Sequence, residues 1–128
     1  MTQDILDYLD FDRSEDADGN VTLDAMACVS PARWPVLIEQ VQRLLFWAQR
    51  CFPGQQAPLE EGGDWDFALQ AHADASGQLL AICWDVQAAR LDVQTLPSGV
   101  TSMTLTLTLS GTQGFEQALC AAFALGST

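Results

Sequence analysis

Two stretches of this chain alternate most cleanly between apolar and polar residues. In VTLDAMACV, Val21, Leu23, Ala25, Ala27 and Val29 alternate with Thr22, Asp24, Met26 and Cys28. In TSMTLTLTL, Met103, Leu105, Leu107 and Leu109 alternate with Thr104, Thr106 and Thr108. A period of two is that of a strand with one buried face, so 21–29 and 101–109 are expected as strands. Two more such runs, Trp65 to Ala73 and Leu80 to Val86, flank Ser76 and Gly77. If those two residues form the loop, Ala75 pairs with Gln78 and Leu69 with Trp84, and both apolar sets share a face. A three-residue loop slips the pairing by one and splits them. A further strand is expected over 90–96, joined to 101–109 across Pro97, Ser98 and Gly99. Around the turn-forming Asp18 and Gly19, the chain from 8 to 29 reads as two strands, with 2–9 equally compatible with a helical turn.

The period changes in SPARWPVLIEQVQRLLFWAQRCFPG. Trp34, Leu37, Ile38, Val41, Leu44, Leu45, Ala48 and Phe52 recur every three or four residues and form one apolar stripe. Ser30 and Pro31 signal a start, Pro35 a restart, and Pro53 with Gly54 a stop. Residues 53–64 show no periodicity and read as a loop. A closing helix is expected over 112–125, with Phe115, Ala118, Leu119, Ala122 and Phe123 inward and Gly126 as its stop. Hairpins require an antiparallel sheet, and two amphipathic helices must bury their stripes on one face of it. The expected fold is therefore a single α+β domain over 1–128, a two-layer sandwich of order β-β-α-β-β-β(-β)-α. The order of elements and the closing TLTLSGTQGFEQALCAAF resemble small bacterial proteins of the YacL type, a likeness that implies no activity.

Composition narrows the function classes. The 128 residues carry seventeen Asp+Glu against five Lys+Arg, all arginine, for a formal net charge of −12. No basic patch can be assembled to displace counterions from nucleic acid or to hold an anionic membrane surface. The acids crowd the N-terminal quarter, where Asp10, Asp12, Asp16, Asp18 and Asp24 face Arg13 alone. MTQDILDYLDFD lacks the basic and apolar regions of a signal peptide, and no stretch approaches the roughly twenty apolar residues of a membrane span. A cytoplasmic location is expected. Cys28, Cys51, Cys83 and Cys120 are scattered and make no CxxC pair, so reduced, mostly buried thiols are expected.

Three constellations invite chemistry. In SEDADGNVTLDA, Gly19 at the sixth position of a calcium loop puts Ser14 at the first, Asp16 at the third, Asp18 at the fifth and Asn20 at the seventh. The twelfth, which should be a bidentate glutamate, is Ala25, and strands flank the loop where the motif needs helices. A hairpin turn is the expectation, with weak cation binding at Asp16 and Asp18 the alternative. His72 falls on the outer face, opposite Ala81 in the register above, with Cys83 as its diagonal neighbour. A thiol beside an imidazole is the seed of a nucleophile, but no third group or oxyanion donor accompanies it. No phosphate-binding glycine motif and no zinc-ligand spacing is present, and no cofactor is expected. Phe46 and Trp47 sit off the centre of the long helix's stripe. They either pack against the N-terminal hairpin or form an aromatic patch, and Thr104, Thr106 and Thr108 form a second candidate surface if their strand lies at an edge.

The function expected from sequence is a non-enzymatic protein-interaction module. Its partner surface would draw on Phe46, Trp47, Thr104, Thr106, Thr108, Asp10, Asp12, Asp16 and Asp18. The partner would be a basic protein, or a second copy meeting through a sheet edge or the aromatic patch. A thiol enzyme at Cys83 and His72 is the alternative.

Overall fold

Alternation and period emerge as seven strands and two helices in a computed structural model, which describes residues 9–52, 56 and 61–123. In chain order these are β1 (Phe11–Glu15), β2 (Val21–Val29), α1 (Trp34–Cys51), β3 (Trp65–Ala73), β4 (Leu79–Leu80), β5 (Ile82–Asp85), β6 (Arg90–Val93), β7 (Met103–Gly111) and α2 (Gln113–Phe123). The fold is α+β with an antiparallel sheet, as the sequence implies. Five strands form that sheet in the order β1-β2-β7-β3-β4, and β5 and β6 pair apart as a ribbon. Both β2 and β3 run antiparallel to β7. They are therefore parallel to each other on either side of β7, and α1 lies in the crossover that joins them.

Register assigns every residue of the three long strands to a face. Ala25 lies opposite Leu107, which lies opposite Leu69, and the odd-numbered residues of β2, β7 and β3 all fall in such rows. Leu105, Leu107 and Leu109 are buried in a cluster with Leu37, Val41, Leu44, Leu45 and Ala48 of α1 and Phe115, Leu119 and Phe123 of α2. Both helices therefore cover the same, odd face. Their burial removes apolar area from water, at roughly 25 cal/mol per Å². The row Val21, Gly111 and Trp65 is shaped by its glycine, because a Cβ at Gly111 would be driven into the Phe115 ring. With that space open, Phe115 stacks on Trp65 at 5.6 Å and an interplanar angle of 1°.

The helices begin and end where local chemistry dictates. Ser30 O accepts from the amides of Arg33 and Trp34, and α1 starts behind that turn with Pro35 in its first turn, so the proline restart is the true one. Thr112 caps α2, its Oγ1 accepting from Phe115 N at 3.2 Å. The expected stop at Gly126 and the helical or extended state of 2–8 lie outside the described residues.

The β3–β4 hairpin departs from the expected register. Ala73 N donates to Gln78 O at 2.8 Å, so the loop is the four residues 74–77 and not Ser76 and Gly77 alone. Gly77, at φ +71°, supplies the left-handed position that closes it. The register moves by two, which preserves the inward face, and His72 now lies opposite Leu79 instead of Ala81. After Leu80 the chain leaves the sheet. Ala81 exchanges bonds with Gln94, donating to its Oε1 at 2.7 Å and accepting from its amide at 3.0 Å. The β5–β6 ribbon then settles along α1: Gln42 Oε1 accepts from Leu91 N, Trp84 Nε1 donates to Gln49 Oε1, and Gln49 Nε2 donates to Val86 O.

Candidate functional site

With both helices on the odd face, the even-numbered residues of the sheet have no helix over them among the described residues. Asp12 of β1 lies directly opposite Asp24 of β2, and Asp24 opposite Thr108 of β7. Thr108 Oγ1 donates to Asp24 Oδ1 at 2.7 Å. In the neighbouring row Met26 is 69% exposed beside Thr106. Asp10, Asp12, Asp24, Met26 and Thr106 together line one shallow, open depression. Arg13, the lone cation of this quarter of the chain, is odd-numbered and turns to the helix side. There its guanidinium bonds both carboxylate oxygens of Glu116 on α2 and one of Glu15, contacts that hold its pKa above the ordinary arginine value. Asp10 and Asp12 consequently have no ion-pair partner among the described residues.

The acidic turn binds its own backbone. Asp16 Oδ1 accepts from the amides of Asp18 and Asn20, each at 2.9 Å, and Gly19 takes φ +84°. These are the bonds of an Asx turn between two strands, and they engage one of the two Asp16 carboxylate oxygens. No group of three acidic, His or Cys side chains suited to a metal occurs among the described residues.

His72 meets a carboxylate and not the expected thiol. Its Nε2 lies 3.4 Å from Asp74 Oδ1. Asp74 also accepts from Ser102 Oγ and Thr104 Oγ1, both at 2.6 Å, and from Cys28 Sγ at 3.1 Å. The two hydroxyls, then the thiol, hold this carboxylate at about 2, below its ordinary 3.8. Cys83 sits instead in β5, opposite Asp92. The register change and the departure of the chain after Leu80 separate the Cys83–His72 pairing expected from sequence. What replaces it is a clamp of three donors around Asp74, in which the thiol is Cys28 and His72 stands beside the carboxylate.

The remaining residues singled out from sequence fall apart into separate places. Thr104, Thr106 and Thr108 lie on β7, which is the middle strand and not an edge. Thr104 is 8% exposed and bonded to Asp74, so it is no open surface. Trp47 is half-buried against α2 and the end of its own helix, its ring centroid 5.5 Å from that of Phe123 and 6.0 Å from those of Phe115 and Phe52. Phe46 is exposed, with the Arg50 guanidinium 6.0 Å over its ring. Of the thiols, Cys28, Cys51 and Cys83 are exposed and Cys120 is half-buried, against the expectation of burial. For Cys28 the reason is its even position in β2. Desolvation, then Glu116, raises the Cys120 pKa.

Asp24, Met26 and Asp74 were not singled out by the sequence reading. The first two carried a signal: with the turn centred on Asp18, period-two pairing places Asp24 across from Asp12. No helix of the described residues is long and apolar enough to cross a membrane. No protein family, no curated protein and no solved structure matches the chain, so the likeness in element order noted above has no family match behind it.

Proposed function

We propose that the protein is a non-enzymatic interaction module whose open sheet face and β1 edge receive a basic segment of another protein. The observation that carries this reading is the directly opposed pair Asp12 and Asp24, beside exposed Met26. Like charges facing each other across two strands disfavour the sheet. An arginine or lysine laid over that row relieves the repulsion, while Met26 offers a polarisable, adaptable apolar anchor. Among the described residues strand β1 pairs only with β2, and its other edge suits an added strand. The net charge of −12 speeds the encounter with a basic partner. The thiol-enzyme alternative lacks the juxtaposition of Cys83 and His72 that it needs.

The test is a titration with an extended peptide of alternating lysine and valine at low and high salt. Affinity should fall as salt rises. The double substitution Asp12→Asn with Asp24→Asn should weaken binding several-fold and flatten the salt dependence, whereas Met26→Ala should weaken it without changing that slope. Binding indifferent to salt, or untouched by the Asp substitutions, would defeat the proposal.

A further inference from the structure

Helix α1 carries a second stripe, on the side turned away from its buried one. Glu39, Arg43, Phe46 and Arg50 follow at spacings of four, three and four, within an arc of about 60° at 100° per residue. Phe46 is 41% exposed and the Glu39 side chain 70%, so the stripe lies open. Within one copy Arg43 pairs with Glu39 at 3.3 Å, and the Arg50 guanidinium stands 6.0 Å over the Phe46 ring. Glu39, Gln42, Arg43 and Phe46 also surround a shallow depression of about 340 Å³, with Ala89 of the turn between β5 and β6 on its rim. Four residues spaced i, i+3, i+4 and i+7 are the hole into which a facing helix sets a side chain. Four of the five arginines gather here: Arg33 at the start of α1, Arg43 and Arg50 within it, and Arg90 in β6.

We propose that this stripe docks on the same stripe of a second copy of the chain, α1 against α1, antiparallel across a twofold axis. Its order of residues is self-complementary. When Glu39 faces Arg50 of the second copy, the same register brings Arg43 onto the second copy's Phe46, and the twofold makes each contact twice. Phe46 is then the side chain that enters the second copy's hole, and it lies between two guanidiniums, Arg50 of its own helix and Arg43 of the other. Glu39 is likewise shared between its own Arg43 and the other copy's Arg50. A parallel, in-register pair would set Arg43 on Arg43 and Glu39 on Glu39, which like charges disfavour. The contact runs about three helical turns, at the low end of specific interfaces, so a dissociation constant on the order of 100 μM is expected. Each copy's net charge of −12 opposes the encounter, and the arginines gathered here weaken that opposition where the copies meet. The pairing leaves the acidic sheet face of each copy open and does not rest on the basic-partner reading.

Sedimentation equilibrium of the full chain, from about 10 μM to about 1 mM, reads the association. Salt at about 0.15 M screens the net charge beyond about 8 Å. The parent should pass reversibly from monomer to dimer. Phe46→Ala, Glu39→Arg and Arg50→Glu, all at exposed positions, should each weaken the dimer about tenfold or more. The decisive sample mixes Glu39→Arg with Arg50→Glu in equal amounts. Each of these alone sets like charges against each other, whereas the mixed pair restores two unlike contacts and should recover association to within a few-fold of the parent. If either charge variant fails to fold, Phe46→Ala decides. Asp12→Asn with Asp24→Asn should dimerise as the parent does, which separates this result from the fate of the basic-partner reading. A chain still monomeric at about 1 mM, which would leave the stripe to a different protein, overturns the proposal. So does a dimer that the three substitutions leave intact, or a mixture that associates no better than its components.

Discussion

At the scale of single residues, Asp74 and Gly111 show how much a position depends on neighbours distant in sequence. Asp74 opens the 74–77 loop and ties it to Ser102 and Thr104 at the start of β7 and to Cys28 at the end of β2. Its carboxyl titrates at about 2 because those donors favour the charged form. A carboxylate whose folded value lies below its ordinary 3.8 stabilises the fold fully above that ordinary value and loses the contribution as pH falls toward 2. The urea midpoint of the parent should therefore drop between about pH 4 and pH 2, and Asp74→Asn should flatten that part of the profile. Equal slopes in the two proteins would remove Asp74 as the cause. Gly111→Ala forces a methyl against Phe115 and unseats its stack on Trp65. A loss of about 1–3 kcal/mol is expected, the range for overpacking a core, read from denaturant unfolding. Neither role was visible in the sequence. What each touches is set by the arrival of β7 between β2 and β3.

At the scale of elements, legibility follows the source of each element's stability. Strand β2 (Val21–Val29) and strand β3 (Trp65–Ala73) carry the bounds that alternation alone implies, because one face of each is buried along its whole length. The return strand after Ser76 and Gly77 keeps its alternation but not its place. Leu79–Leu80 stays with the sheet and Ile82–Asp85 leaves it, and the cause lies in partners that periodicity does not encode: Gln94 for Ala81, and Gln49 for Trp84 and Val86. The candidate site suffered in proportion. Cys83 and His72 were paired through a register that the sheet does not use, whereas Asp10 and Asp12 needed only the short β1–β2 hairpin to be placed. Gln49 is the element-scale test. Gln49→Leu deletes two of the three bonds between α1 and the ribbon, at about 0.5–1.5 kcal/mol each, and leaves that of Gln42 to Leu91. Amide exchange in β5 and β6 should accelerate while protection in β7 is unchanged, and a uniform loss across the sheet would show that the ribbon is not a separately anchored unit.

At the scale of the whole molecule, the distribution of charge and of the described helices divides the sheet into two unlike sides. One side buries the leucines of β7 beneath both helices. The other keeps Asp12 against Asp24, a pairing that stability alone would remove, since asparagine fits the same backbone without the repulsion. Arg13 does not relieve it, because strand alternation carries that side chain to Glu116. Stability and partner binding should therefore move in opposite directions on this face. Asp12→Asn with Asp24→Asn should raise the melting temperature at low ionic strength, and the gain should shrink as salt screens the parent's own repulsion. The same protein should bind the lysine–valine peptide less tightly. If the double substitution instead lowers the melting temperature, the carboxylates are stabilised within the sheet, by Thr108 in the case of Asp24, and the opposed pair loses its standing as a surface kept for a partner.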